Sequence, residues 1–144
     1  MILVDTSVWV EILRDRTETI ARAFRRRLQG EIYALSRFTQ LELLQGAKNE
    51  TEWSRLEEHL APQYYLEATD QTWAAAARIY FELRRLGKTV NSPIDCCIAQ
   101  LAIENRVVLL HRDQDFATIA QIRPVAAEFF ERTEDTDRLT GLKS

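Results

Sequence analysis

A chain of 144 residues with 46% hydrophobic and 28% charged side chains fits one domain with a real core, and only four Gly and three Pro argue against an all-β or linker-rich design. A net charge of −3 ordinarily counts against a nucleic-acid partner, because phosphate binding needs Lys and Arg to displace counterions. The basic residues nevertheless cluster, at Arg22, Arg25, Arg26 and Arg27 and again at Arg78, Arg84, Arg85 and Lys88, and each cluster taken alone reads as a solvated helix face.

In chain order, Met1-Ile2-Leu3-Val4 is a short apolar run of the kind found in strands buried on both faces. Asp5-Thr6-Ser7 breaks it with cap-forming residues, and Val8, Trp9, Ile12 and Leu13 follow at helical spacing. A basic helix is predicted over 18–29, ending at Gly30, and a second strand over 32–35 with Ser36 as its exit. Helices follow over 38–47 and 50–60, the latter stopped by Pro62, then a strand at 64–66. A long helix opens at Thr69-Asp70 and is capped by Gly87, and Ser92-Pro93 starts another that reaches Asn105. A fourth apolar strand covers 107–110, a turn 112–115, a short helix 116–120, and a last strand forms around Val125. Residues 131–144 are polar and offer little to bury, so they are expected to form a flexible tail after a domain covering 1–130. Alternating apolar strands and amphipathic helices imply an α/β fold, a parallel sheet covered on both faces.

Cys96 and Cys97 are sequence neighbours, which argues against a framework disulfide, and His59 and His111 lack the paired spacing of a zinc site. No run approaches the ~18 apolar residues of a membrane span, and no leader segment is evident. A reducing cytoplasm and no membrane association are the expected setting. Trp9, Trp53 and Trp73 read as core or interface residues rather than base-stacking platforms.

Ligands of open parallel sheets bind beyond the carboxyl ends of the strands. Asp5 directly follows the first strand, Asp113 and Asp115 follow the fourth, Asp95 lies in the first turn of the helix begun at Ser92, and Glu42 is mid-helix. Each has a purely structural explanation. Asp5 can cap a helix, Ser92-Pro93-Ile94-Asp95 has the form of an N-cap with Pro at N1 and an acid at N3, Asp113 and Asp115 suit Asx-turns, and Glu42 suits a helix surface. Jointly they mean more. Carboxylates crowded at one sheet end repel and stay partly protonated unless a cation neutralises them. An all-oxygen donor set suits Mg²⁺ or Mn²⁺ rather than zinc, and such a site does chemistry on phosphates.

The four acidic segments resemble a known family. Val4-Asp5-Thr6-Ser7-Val8-Trp9 resembles the opening strand and first acid of PIN domains, and Leu41-Glu42-Leu43-Leu44-Gln45-Gly46-Ala47 is similar to their second acidic motif. Ser92-Pro93-Ile94-Asp95-Cys96-Cys97-Ile98-Ala99 looks like the third, and Leu109-Leu110-His111-Arg112-Asp113-Gln114-Asp115-Phe116 like the fourth. The resemblance spans about residues 1–125. It implies a three-layer α/β/α sandwich around a mainly parallel sheet of four to five strands, and Mg²⁺-dependent endonucleolytic cleavage of RNA, with Mn²⁺ as the other candidate ion. At this length the chain is similar to VapC-type toxins, which implies a cognate VapB-type antitoxin, a homodimer and an RNA substrate, for which transfer RNA is the first guess.

The resemblance also implies roles. Asp5 and Asp95 are the principal metal ligands, Asp113 completes the site or holds a second ion, and Glu42 orients or deprotonates the attacking water. Ser7 or Thr6 hydrogen-bonds a carboxylate or a phosphate, or else caps a helix; Ser92 is a cap first; Asp115 is a helper or a turn residue. His111 stands where the family often has Thr, so a hydroxyl that helps order the last loop is absent. A haloacid-dehalogenase-type phosphatase would want a second Asp where Ser7 stands, and a receiver-like module would want an Asp better placed than Asp70. A receiver-like or inactive PIN-fold binding module is the alternative reading.

Overall fold

Every residue of the first strand, β1 (Ile2–Val4), is buried, because both faces of this short apolar run are covered by helices. Its period-two alternation sorts the core. Leu3, with Ala34 and Leu109 from neighbouring strands, faces one hydrophobic cluster, while Ile2, Val4, Leu35 and Leu110 face the other. The computed structural model describes residues 1–132, so the predicted polar tail lies outside the described residues except for Glu131 and Arg132.

After β1 come α1 (Thr6–Arg14), α2 (Thr19–Leu28), β2 (Tyr33–Ser36), α3 (Arg37–Gln45), α4 (Glu50–Leu60) and β3 (Tyr65–Leu66). The chain continues through α5 (Asp70–Arg85), α6 (Pro93–Asn105), β4 (Val108–His111), α7 (Asp115–Ala120) and β5 (Ala127–Phe129). The sheet order is β3-β2-β1-β4-β5, and every pairing is parallel. The chain therefore starts in the middle of the sheet, winds outward through β2 and β3, then crosses back to add β4 and β5 on the other side. Right-handed crossovers in opposite directions place their helices on opposite faces. Residues of α1, α2 and α4 accordingly pack into one cluster and those of α5, α6 and α7 into the other, while α3 sends Leu43 to the first and Phe38 to the second. This is the three-layer sandwich expected from the alternation of elements.

The helix ends follow local chemistry. Ser36 accepts from the Thr39 N–H, Asn49 from the Glu52 N–H and Ser92 from the Ile94 N–H, each a side-chain N-cap. Gly87, at φ +73°, ends α5 in a Schellman turn, where its N–H and that of Lys88 reach back to the Arg84 and Leu83 carbonyls.

Two expectations are corrected. The last strand begins at Ala127 rather than at Val125, because Val125 turns inward to the core on a tight backbone bond to Arg123 before the chain straightens. Of the three tryptophans only Trp9 is in the core; Trp53 and Trp73 are 39% and 55% exposed, which removes the core half of the core-or-interface expectation for them, since a helical period alone does not say which face meets the sheet. Among the described residues no helix is long and apolar enough to cross a membrane. Because Leu109 is fully buried in the central layer, Leu109→Ala is expected to cost about 2–5 kcal/mol in urea unfolding; a loss below about 1 kcal/mol would mean this layer relaxes freely.

Candidate metal centre

In a doubly wound sheet the crevice opens where neighbouring strands lead off in opposite directions, here between the carboxyl ends of β1 and β4. Asp5 leaves β1 at this point, its N–H still donating to the Leu110 carbonyl of β4 at 2.9 Å. Its side chain caps α1: Oδ2 accepts from the Ser7 N–H at 3.0 Å and from the Ser7 hydroxyl at 2.6 Å. The Ser7 Oγ in turn accepts the Arg112 N–H at 2.8 Å, so one hydroxyl ties the loop after β4 to the first acid. Capping and site placement are thus one arrangement for Asp5, not rival explanations.

Asp95 arrives from the first turn of α6, and Asp113 and Asp115 from the turn after β4. Ligand oxygens of these three carboxylates all lie within 4.8 Å of one another. Asp113 Oδ1 accepts the Asp115 N–H at 2.9 Å in an Asx-turn, which bends the chain so that both acids face the crevice. Asp115 Oδ2 also accepts the Asn91 N–H at 2.8 Å, anchoring it to the loop before α6. Helical Cα–Cβ bonds tilt toward the N-terminus, so acids in the first turns of α6 and α7 lean into the space beyond the strands. The turn-residue description of Asp115 is therefore met, and the same geometry places it inside the tight trio. Asp5 is not in that trio, yet its charge acts on Asp95.

Glu42 reaches the crevice from mid-α3, half-buried. Its Oε1 accepts from the Thr6 hydroxyl at 2.8 Å, and Thr6 Oγ1 also lies 2.9 Å from Thr39 Oγ1, itself fully buried. Thr6 holds the Glu42 carboxylate, and Ser92 caps α6. His111, where a hydroxyl was expected, accepts the Asp113 N–H on Nδ1 at 3.2 Å and so orders the same loop with a ring nitrogen. Burial lowers its pKa, which keeps that nitrogen available as an acceptor. Three participants escaped the sequence reading: Asn91, Thr39 and Arg112, whose guanidinium donates to the Phe130 carbonyl at 2.6 Å. Backbone donors such as Asn91 leave no compositional signal.

The electrostatics follow from crowding. Burial lifts the Asp5 carboxyl from its ordinary 3.8 to about 6, against the Ser7 hydrogen bonds, with the Glu42 and Asp113 charges adding to the rise. Asp95 is pushed up to about 8, first by burial, then by a hydrogen bond with Asp115 and by the charges of Asp113, Asp5 and Asp115. Buried oxygen donors that hold protons for want of a positive charge fit a hard divalent cation. Asp95, Asp113 and Asp115 offer one oxygen each to a common point, with Asp5 beside them.

The sign of the pH effect is fixed by these shifts. A carboxyl with a raised folded pKa binds more protons in the folded than in the unfolded chain, so stability falls as pH rises from the unfolded value near 3.8 through about 8. With EDTA present, Asp95→Asn, which cannot ionise, is expected to be more stable than the parent by roughly 2 kcal/mol near pH 8, or roughly 4–8 °C in thermal midpoint. The gap should shrink toward pH 5. A gap independent of pH over that range would mean that the carboxyl groups are not crowded.

Comparisons with known proteins place the chain in a family. The PIN domain model matches residues 2–122. A VapC ribonuclease of Mycobacterium bovis is 39% identical over 133 residues, covering 90% of this chain and 99% of the relative, and ribonuclease VapC51 of Mycobacterium tuberculosis is 32% identical over 120 residues, covering 83% and 85%. Among solved structures, FitAcB from Neisseria gonorrhoeae superposes with a TM-score of 0.69 at 27% identity over 92% of this chain and 98% of that one. The VapBC2 complex from Rickettsia felis, bound to a promoter DNA fragment, has a TM-score of 0.74 at 18% identity, over 91% and 100%, and speaks to the fold alone. With the acids gathered at the β1–β4 crevice and this degree of likeness along nearly its whole length, the chain belongs to the PIN-domain family, among the VapC ribonucleases.

Proposed function

We propose that the protein is a metal-dependent endoribonuclease that hydrolyses RNA phosphodiester bonds, and that it is the toxin of a toxin–antitoxin pair held in check by a VapB-type antitoxin. The observation that carries the chemistry is the gathering of Asp95, Asp113 and Asp115 to within 4.8 Å, with Asp5 and Glu42 flanking them. The relatives' names, ribonuclease and VapC, support the substrate class and the partner. Transfer RNA is the proposed substrate, and a homodimer in the cytoplasm the proposed working form, with residues 1–130 as the catalytic domain and the segment from 131 onward as an appendage.

In this reading Asp5, Asp95 and Asp113 hold the cation, and Asp115 holds Asp113 in place through their shared turn while contributing its own negative charge. Mg²⁺ is the proposed ion, with Mn²⁺ as the alternative, because both are hard and accept an all-oxygen shell. When bound, such an ion polarises the phosphate and makes a nearby water more acidic. Ser7 fixes the orientation of Asp5 through Oδ2 alone, so that the capping bonds do not use its other oxygen. Glu42, steered by Thr6, is the carboxylate left to take a proton from the attacking water, since it stands apart from the trio. His111 and Arg112 keep the loop after β4 in the shape that presents Asp113 and Asp115.

Asp5→Asn and Asp95→Asn are each expected to lower RNA cleavage by about 10²-fold or more, with circular dichroism unchanged, and Glu42→Gln to lower kcat more than it changes KM. EDTA should stop cleavage by the parent protein and added Mg²⁺ restore it. Near-full Mg²⁺-dependent activity in both aspartate variants would remove this site from the reaction, and binding of RNA without cleavage under any divalent ion would leave a binding module instead.

A further inference from the structure

On the α5–α7 face, Arg78, Glu82, Arg85, Leu86, Ile122 and Arg123 line a cleft of about 670 Å³. Three guanidinium groups against one carboxylate make it basic on a chain whose net charge is −3. Glu82 bonds both Arg78, at 3.4 Å, and Arg123, so it holds two of the arginines in place across the cleft. The guanidinium groups of Arg78 and Arg85 lie over the exposed Phe81 ring at 4.8 and 5.6 Å, and Arg84 lies 6.0 Å from the Tyr80 ring. Among the described residues neither Arg84 nor Arg85 has a carboxylate partner. Leu86, 60% exposed, and Ile122 supply an apolar floor.

Charge complementarity with the dipole at the C-terminal end of α5 explains Arg84 and Arg85. It does not explain Arg78 in mid-helix, Arg123 from a different element, or an exposed leucine between them. We infer that this cleft grips one nucleotide of the RNA to either side of the cut, its arginines on phosphate and Leu86 with Ile122 beneath the base. Guanidinium forks match phosphate oxygens, and the volume falls in the range of sites for small polar ligands with apolar walls.

The cleft is tied to the acidic crevice by two short routes. From Asp115, α7 runs toward Ile122 and Arg123 with a rise of roughly 10 Å. From Asn91, whose N–H holds Asp115, the chain leads back three residues to Lys88, at most about 10 Å, and Lys88 bonds Gln121 just beyond α7. A strand cut at the carboxylates is therefore within reach of the cleft. The inference rests on the ribonuclease reading for its choice of RNA, but it can be tested without cleavage.

The test is binding of a labelled single-stranded 20-nucleotide RNA to the full chain in EDTA, across a salt series, for the parent, Arg78→Ala/Arg85→Ala, and Arg22→Ala/Arg25→Ala. The last pair removes equal charge from α2 on the opposite face. Thermal midpoints check that all three fold. The Arg78/Arg85 variant is expected to bind on the order of tenfold more weakly at low salt, with the slope of log K against log salt smaller by about 1–1.5, and the α2 variant to match the parent. In Mg²⁺ the Arg78/Arg85 variant should raise KM and leave kcat in place. A slope and KM equal to the parent's overturn the cleft while leaving the nuclease reading intact, and loss of antitoxin affinity in that variant would then make the face a protein-docking one. Parent protein that binds RNA through the cleft yet cuts nothing overturns the nuclease reading and keeps the cleft.

Discussion

Carboxylates held within 4.8 Å of one another repel strongly. At an effective dielectric constant near 20, each fully ionised pair at that separation costs about 3–4 kcal/mol, and three such pairs approach the whole stability of an ordinary domain, about 5–15 kcal/mol. The protein therefore has two ways to exist near neutral pH: with a proton retained on Asp95, or with a positive charge among the acids. Everything around the crevice serves to keep the groups there despite that cost. Ser7 fixes Asp5, Asn91 fixes Asp115, the Asx-turn fixes Asp113 and Thr6 fixes Glu42. Such anchors are needed because an unrestrained side chain would rotate away toward water.

The sheet supplies the stage for this. Because the chain begins in the central strand and winds outward both ways, the ends of β1 and β4 face a gap that no crossover covers. Asp5 needs only to be the next residue after β1 to stand in it. The remaining acids come from elements separated by as much as a hundred residues in sequence, and the Arg112 N–H to Ser7 bond is the stitch that sets the spacing of the two strand exits. Asp5 is the cap and Ser7 the clamp that ties it to the loop after β4, which is why a cap-like motif and a site motif coincide in the same three residues.

Much of the fold was legible in the sequence, for a simple reason. Fully buried strands such as Ile2–Val4 and Val108–His111 are continuous apolar runs, and Ser92-Pro93 and Gly87 mark helix ends by their own backbone chemistry. The approach of Asp5, Asp95 and Asp113 to one crevice was also legible, since each follows a strand end or opens a helix. What could not be read were relations set by tertiary contact. Asp115 joins the tight trio because α7 begins at that residue, and His111 replaces a hydroxyl because its ring happens to reach the Asp113 N–H. The exposure of Trp53 and Trp73 depends on which stripe of each helix the sheet takes, a choice that hydrophobic composition leaves open when both stripes carry apolar residues.

A negative protein with an acidic centre must still draw in a polyanion if RNA is its substrate, and the layout of charge resolves this. Exposed charges more than about 8–10 Å apart are largely screened at physiological salt, so a strand of RNA senses its immediate surroundings rather than the total of −3. Over such distances the acids belong to one environment and the arginines of α5 to another. A backbone could then be held at the basic face while only the phosphate to be cut enters the acidic crevice, where a divalent cation, held by Asp5, Asp95 and Asp113, would reverse the local sign. α7 joins the two environments, since Asp115 opens it and Ile122 and Arg123 follow its end. If the cleft grips RNA as inferred, one short helix fixes the distance between grip and reaction, and that distance sets which phosphate of a held strand reaches the acids.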